Sequence, residues 1–260
     1  MALAWAPLAP AQDLPTAQPN LITIWRESVK PGRAAEHARH EAGFPAAFAK
    51  AGSPDYYLAL TSVTGPDEAW YLTPAKSHAV IGESFKLEAR EPALGAELAR
   101  LARIDAEFIS ALRIIQARAR PELSVGEFPD LAKARFFEIT VYRLRPGHES
   151  HFEAAAKAWG TALKRTAPSM SGRVYQVIAG MPSPTFLVIS SVEDYADFDR
   201  LGADSAATWA ATTPAEQETI RKFATEAVLE EETNKFRVDP GQSYVSKETR
   251  AKAPVFWSPN

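Results

Sequence analysis

The sequence predicts an α+β protein in which one β-α-β-β-α unit is written twice. Three observations carry this. Leu21–Val29 and Phe136–Leu144 are apolar, β-rich runs, and each stops at a basic-Pro-Gly turn, Lys30-Pro31-Gly32 and Arg145-Pro146-Gly147. The two prolines stand 115 residues apart, and an Ala-rich stretch of helical character follows each turn. A β-hairpin comes next in both halves: Tyr56–Val63 with Ala69–Leu72, then Arg173–Ala179 with Thr185–Ser190.

Taken in order, residues 1–11 are apolar and rich in Ala and Pro, and Ala9-Pro10-Ala11 has the small-x-small form of a signal-peptidase site. Residues 1–19 therefore read as a signal-peptide remnant or a disordered leader, and the expectation is an exported protein, periplasmic or secreted. The first strand follows. Arg33 to about Lys50 reads as one helix, stopped by Ala51-Gly52-Ser53-Pro54-Asp55. After the hairpin, Thr73-Pro74 has the form of an N-cap with proline at the first helical position, opening a helix to about Glu88.

Pro92 then starts a longer helix, expected to reach Arg118. Leu94, Leu98, Leu101, Phe108, Leu112 and Ile115 recur at spacings of three, four or seven residues, an apolar stripe. Residues 20–123 form the first unit and 134–238 the second. In the second, Ser191 is expected to cap a helix to Leu201, and Trp70 and Phe186 to hold equivalent strand positions. Thr213-Pro214-Ala215-Glu216 opens the second long helix, to Lys235, with a capping-box pattern. Residues 239–260 are a tail whose Val255-Phe256-Trp257 is expected to dock on its own chain or on a neighbour.

Composition excludes more than it proposes. At 46% hydrophobic and 23% charged the chain is globular, and a net charge of −3 gives no pull toward nucleic acid. With no cysteine, disulfides, thiolate metal sites and cysteine nucleophiles are excluded. No apolar run reaches the ~20 residues of a membrane-spanning helix. Dinucleotide, phosphate-loop and His-Glu-x-x-His motifs are absent.

The doubled unit, on the strand–Lys-Pro-Gly–helix stretch, the hairpin and their second-half partners, resembles the dimeric α+β barrel superfamily of ferredoxin-like folds. NIPSNAP-like and antibiotic-biosynthesis-monooxygenase-like domains are the nearest flavour, over residues 20–235. The resemblance implies two sheets facing each other across a cavity, here both from one chain as a pseudo-dimer. It spans cofactor-free oxygenases, haem-handling enzymes, isomerases and binding proteins, and is compatible with a homodimer. Fold alone therefore does not choose a function.

Strand periodicity divides each first strand into two faces. The reading places Ile22, Ile24, Ile139 and Val141 against the helices, and Trp25, Glu27, Glu138, Thr140 and Tyr142 on the cavity. Tyr57, Trp70 and Tyr175 are added from the hairpins. A small, partly apolar ligand touching Trp25, Glu27, Tyr57, Trp70 and Tyr175 is the first expectation, with no cofactor. The alternative is a cofactor-independent monooxygenase-like or proton-transfer enzyme using Glu138 and Tyr142, which share a face four residues apart. A third is a structural or oligomer-forming protein without ligand. His37 and His40 lie one turn apart, a spacing that suits a metal, but no third ligand is evident and no metal is assigned. Aligned by the turns, they match Phe152 and Ala155. His148 and His151 flank the second turn, and haem ligation there rests on family analogy alone.

Overall fold

A computed structural model describes residues 14–257. The first half runs β1 (Leu21–Val29), α1 (Ala34–Glu41), α2 (Gly43–Ala51), β2 (Leu58–Ser62), β3 (Glu68–Ala75), α3 (His78–Arg90), α4 (Pro92–Asp105) and β4 (Ile109–Ala119). The second runs β5 (Phe136–Leu144), α5 (Glu149–Thr166), β6 (Arg173–Ala179), β7 (Thr185–Val192), α6 (Asp197–Ala210), α7 (Pro214–Lys222) and β8 (Val228–Val238), with short helices α8 (Lys247–Lys252) and α9 (Pro254–Trp257) in the tail.

The eight strands close into one antiparallel barrel, in the order β1-β3-β2-β8-β5-β7-β6-β4. Each half supplies a four-stranded sheet with its first strand in the middle. The two sheets join where β2 pairs β8, Leu60 opposite Val238, and where β4 pairs β6, Gln116 opposite Ala179. Closure removes every sheet edge. The α+β class, the doubling and the barrel are as the sequence predicts.

The two long helices are not. The first ends at Asp105, and residues 109–119 become β4, paired along its length with β1. The second ends at Lys222, passes through a π turn at Phe223–Ala227, and becomes β8. Ile115, Ala117, Phe236 and Val238 thereby enter the barrel core. Pairing with a waiting strand edge outweighs the helical spacing of the same apolar residues. The Thr213 capping box does form, with both reciprocal hydrogen bonds.

Three smaller boundaries also differ. The helix after the first turn breaks at Ala42, where Gly43 meets the Leu101 side chain so closely that a Cβ would lie 2.8 Å from it. Thr73 and Pro74 are the end of β3, and Ser77 caps α3 by accepting a hydrogen bond from the Val80 amide. Ser191 belongs to β7, and α6 begins only at Asp197.

The facing of the central strands is the reverse of the sequence reading. Ile22, Ile24, Ile139 and Val141 point into the barrel, where they pack with Leu60, Trp70, Ile115, Leu187 and Phe236. The helices cover the opposite faces. A closed barrel buries its bore most completely, so the purely apolar set goes inside and the mixed set goes under the helices. Register also corrects one equivalence: Trp70 lies opposite Arg26 in the bore, whereas Phe186 lies opposite Tyr142 on the helix side. Ala69 is the true counterpart of Phe186.

The tail packs on its own chain. Trp257 is fully buried and its indole Nε1 donates to the Ala132 carbonyl at 3.0 Å, while the Arg135 guanidinium lies 3.7 Å above the Phe256 ring.

Candidate functional site

Two features stand apart from ordinary packing, one inside the barrel and one beneath the helices of the first half. At the end of the bore formed by the last residues of β1 and β5, interior positions change from apolar to charged. Arg26, Arg113 and Arg143 face Glu68, Glu230 and Glu232 there. The Arg26 Nε lies 3.0 Å from both Glu68 carboxylate oxygens, and its guanidinium sits 4.8 Å over the Trp70 ring. Trp70 Nε1 donates to Glu68 Oε2 at 2.8 Å, and Glu232 approaches Arg26 at 3.5 Å. Arg143 reaches Glu230 at 3.8 Å. Arg113 lies opposite Arg26 across the β1–β4 pairing and has no carboxylate at ion-pair distance among the described residues. The three arginines, Glu230 and Glu232, with Val141, Met181 and Pro182, line a cavity of about 270 Å³. The other end of the bore holds an apolar cavity of about 70 Å³ against Ile22, Leu72, Phe137 and Tyr175.

Of the residues expected to line a cavity, Trp70 and Tyr175 do face the bore. Trp25, Glu27, Glu138, Thr140 and Tyr142 lie on the outer face, for the reason of strand facing given above. Trp25 is 42% exposed. Glu138 is one-third exposed and pairs with Lys235 Nζ at 3.1 Å. Tyr142 shares its face, but it is enclosed by Phe152 and Phe223, and burial pushes its phenol well above the ordinary range. Glu138 and Tyr142 therefore do not meet in a cavity. Tyr57 packs outside the barrel with Tyr71, Tyr244 and Phe48.

Glu27 has the most unexpected surroundings. It points from β1 under α1 and α4, where His37, Glu41 and Asp105 meet it, all four buried. His37 Nε2 lies 3.0 Å from Glu27 Oε2 and 3.5 Å from Asp105 Oδ1. One donor atom from each of the four residues can be chosen so that all lie within 4.8 Å of one another. Burial, reinforced by the Glu27 and Asp105 charges, pushes the Glu41 carboxyl up to about 9. Burial also raises Glu27, against the opposing hydrogen bond from His37. The Glu41 and Glu27 charges in turn help to hold Tyr71 and Tyr57 above their ordinary range, with burial the main cause.

His37 and His40 do not act together. His40 turns away, its Nε2 2.9 Å from the Leu101 carbonyl and its ring against Phe108. Glu41 and Asp105 escape a reading by sequence, since Asp105 is 64 positions from Glu41 and sits inside what reads as an unbroken helix. One signal was available. Glu27 aligns with Tyr142 and His37 with Phe152 at the 115-residue offset, so ionisable groups replace aromatic ones in one half only.

Neither histidine of the first half is placed to ligate a haem: His37 is held between two carboxylates and His40 against a carbonyl. His148 and His151 lie side by side, ring centroids 4.9 Å apart, with His151 Nε2 3.5 Å from Glu226.

The fold is that of the dimeric α+β barrels, with both sheets drawn from one chain. The solved structures it resembles include a candidate monooxygenase from Lactobacillus acidophilus NCFM, 11% identical, with a TM-score of 0.51 over 87% of this chain and 99% of that one. An anthrone oxidase-like protein is 11% identical with a TM-score of 0.54, over 86% and 93%. A chlorite dismutase variant from Candidatus Nitrospira defluvii is 10% identical with a TM-score of 0.52, over 91% and 96%. No protein-family model and no curated protein matches the chain. No described helix is long and apolar enough to cross a membrane.

Proposed function

We propose that this protein binds a small, partly apolar, anionic molecule in the bore between its two sheets, entering at the charged mouth. The observation that carries this is Arg113: it faces a cavity of about 270 Å³ with no carboxylate partner among the described residues, beside two arginines that are paired. Arg113 is exposed at the mouth, and a guanidinium matches a carboxylate through parallel N–H donors. Arg26 is held in place by Glu68 and Trp70, so the mouth is built before a ligand arrives. Below it the bore is apolar, which suits the rest of such a molecule.

The test is titration of the purified protein with benzoate and with hexanoate, followed by NMR, alongside mass spectrometry of any co-purified ligand. Binding that weakens at least about tenfold in Arg113→Gln supports the reading. No binding of either acid at 10 mM, written as about −2.7 kcal/mol at the limit, with no co-purified ligand, sinks it.

Oxygenase-like or proton-transfer chemistry is the second reading. It is supported by the barrel's likeness to the candidate monooxygenase and the anthrone oxidase-like protein. The pair Glu138–Tyr142 gives it no centre in the bore, since both side chains lie on the outer face of β5. Export rests on the Ala9-Pro10-Ala11 pattern, which lies outside the described residues.

A further inference from the structure

We propose that Glu27, His37, Glu41 and Asp105 form a binding site for one divalent first-row transition-metal ion. The site lies beneath the helices of the first half and is separate from the bore, so it stands or falls independently of the ligand proposed above.

The donors come from three elements that the fold brings together: Glu27 from β1, His37 and Glu41 from α1, and Asp105 from the last turn of α4. His37 and Glu41 are four residues apart on a helix, so both face the sheet. The four are between 2% and 7% exposed. Three carboxylates and one imidazole in such a place are costly unless their charge is met. The surrounding side chains meet it only in part. His37 Nε2 is a single atom placed between two carboxylates, nearer to Glu27. Among the described residues Glu41 Oε1 and Asp105 Oδ1 are buried with no hydrogen-bond partner, although Tyr71 and Asp105 both lie beside the Glu41 carboxyl. A cation at the shared centre would take up the unused oxygens, displacing the proton that Glu41 otherwise holds.

The second half shows that the fold does not require this arrangement. Tyr142 stands where Glu27 does and Phe152 where His37 does. Phe223, just before β8, takes the place that Asp105 has just before β4. The three rings pack as a triangle with centroids 5.7, 5.5 and 5.6 Å apart. Opposite Tyr142 stands Phe186, stacked on Phe152 at 4.2 Å, whereas opposite Glu27 stands Ala69. The first half thus replaces a close-packed aromatic cluster with ionisable groups and a small neighbour. Packing alone would favour the rings.

Three oxygens and one imidazole nitrogen, without sulfur, suit Mn²⁺, Fe²⁺ or Zn²⁺ better than copper(I) or an all-oxygen calcium site. Mn²⁺ is the probe, because loss of its free-ion EPR signal reports binding and nitrogen hyperfine coupling reports an imidazole ligand. The full-length protein is stripped with chelator and titrated with Mn²⁺, then with Zn²⁺ as competitor. The expected result is one equivalent of Mn²⁺ bound and displaced by Zn²⁺, nitrogen coupling in the bound spectrum, and affinity at least about hundredfold weaker in Glu41→Gln and Asp105→Asn. Arg113→Gln should bind Mn²⁺ as the unaltered protein does. The nitrogen coupling is read on the unaltered chain, so it stands even where a variant fails to fold. No uptake of either ion at 1 mM, uptake without nitrogen coupling, or uptake unchanged in both folded variants would overturn the proposal.

Discussion

Glu27 and Tyr142 hold the same place in the two halves of the barrel, 115 positions apart on the helix-facing side of the central strands, and their surroundings have opposite chemistry. Tyr142 completes a cluster of rings. Glu27 completes a cluster of charges. Because the backbone frame is shared, the second half acts as an internal control for what the fold needs at this position.

Removing the imidazole should be costly in the metal-free protein. His37→Ala leaves Glu27 buried without its hydrogen-bond partner, and the expected loss is about 3 kcal/mol. Urea unfolding of chelator-treated protein measures it. A change below about 0.5 kcal/mol, the level of an ordinary surface substitution, would mean that the pair carries no weight.

The metal-free protein should lose stability as pH rises. Glu41 has an ordinary carboxyl value near 4.5 when unfolded and about 9 when folded, so the native state holds a proton that the unfolded chain has released. That difference lowers stability progressively from about pH 4.5 to about pH 9 and not beyond. Glu41→Gln keeps the shape and removes the titration. Its unfolding free energy should be flatter over this range and higher than that of the unaltered protein at pH 8. A parallel decline in both proteins would assign the effect elsewhere.

The C-terminal tail should contribute to the fold of its own chain. Trp257→Ala empties a fully buried indole site and loses the hydrogen bond to Ala132, for an expected cost of about 3–5 kcal/mol. Thermal unfolding should shift downward while sedimentation gives an unchanged mass. A smaller sedimenting species would instead make the tail a subunit contact.

Barrel closure between the halves should be sensitive at Gly180. Its φ is +89°, and a Cβ there would stand 2.0 Å from the Ile114 carbonyl oxygen, so the β6–β7 hairpin lies directly on β4. Gly180→Ala combines a left-handed backbone with a clash that no side chain can relieve. The expected destabilisation is about 2 kcal/mol or more, measured by urea unfolding. An unchanged midpoint would show that this seam tolerates movement.

The repeat made the fold legible. Two strand–Pro-Gly–helix stretches and two hairpins define the order of elements without any structure. The closing strands β4 and β8 were not legible, because Leu112 and Ile115 fit a helical stripe as well as a strand, and only the free edges of β1 and β6 for β4, and of β2 and β5 for β8, decide. The facing of β1 was misread for a related reason: alternation separates two faces but does not say which one a closed barrel buries. Glu27 was therefore singled out but assigned to the wrong side. Asp105 carried no local signal at all. What brings it to His37 is the end of a helix that looked continuous.

The charged cluster of the first half is built to hold a cation. The most direct measurement is an anomalous-difference map from crystals of the protein grown with Mn²⁺. The account predicts a single strong peak about 2.1 Å from donor atoms of Glu27, His37, Glu41 and Asp105. A map with no peak there, and with the four side chains paired only to one another, would contradict it.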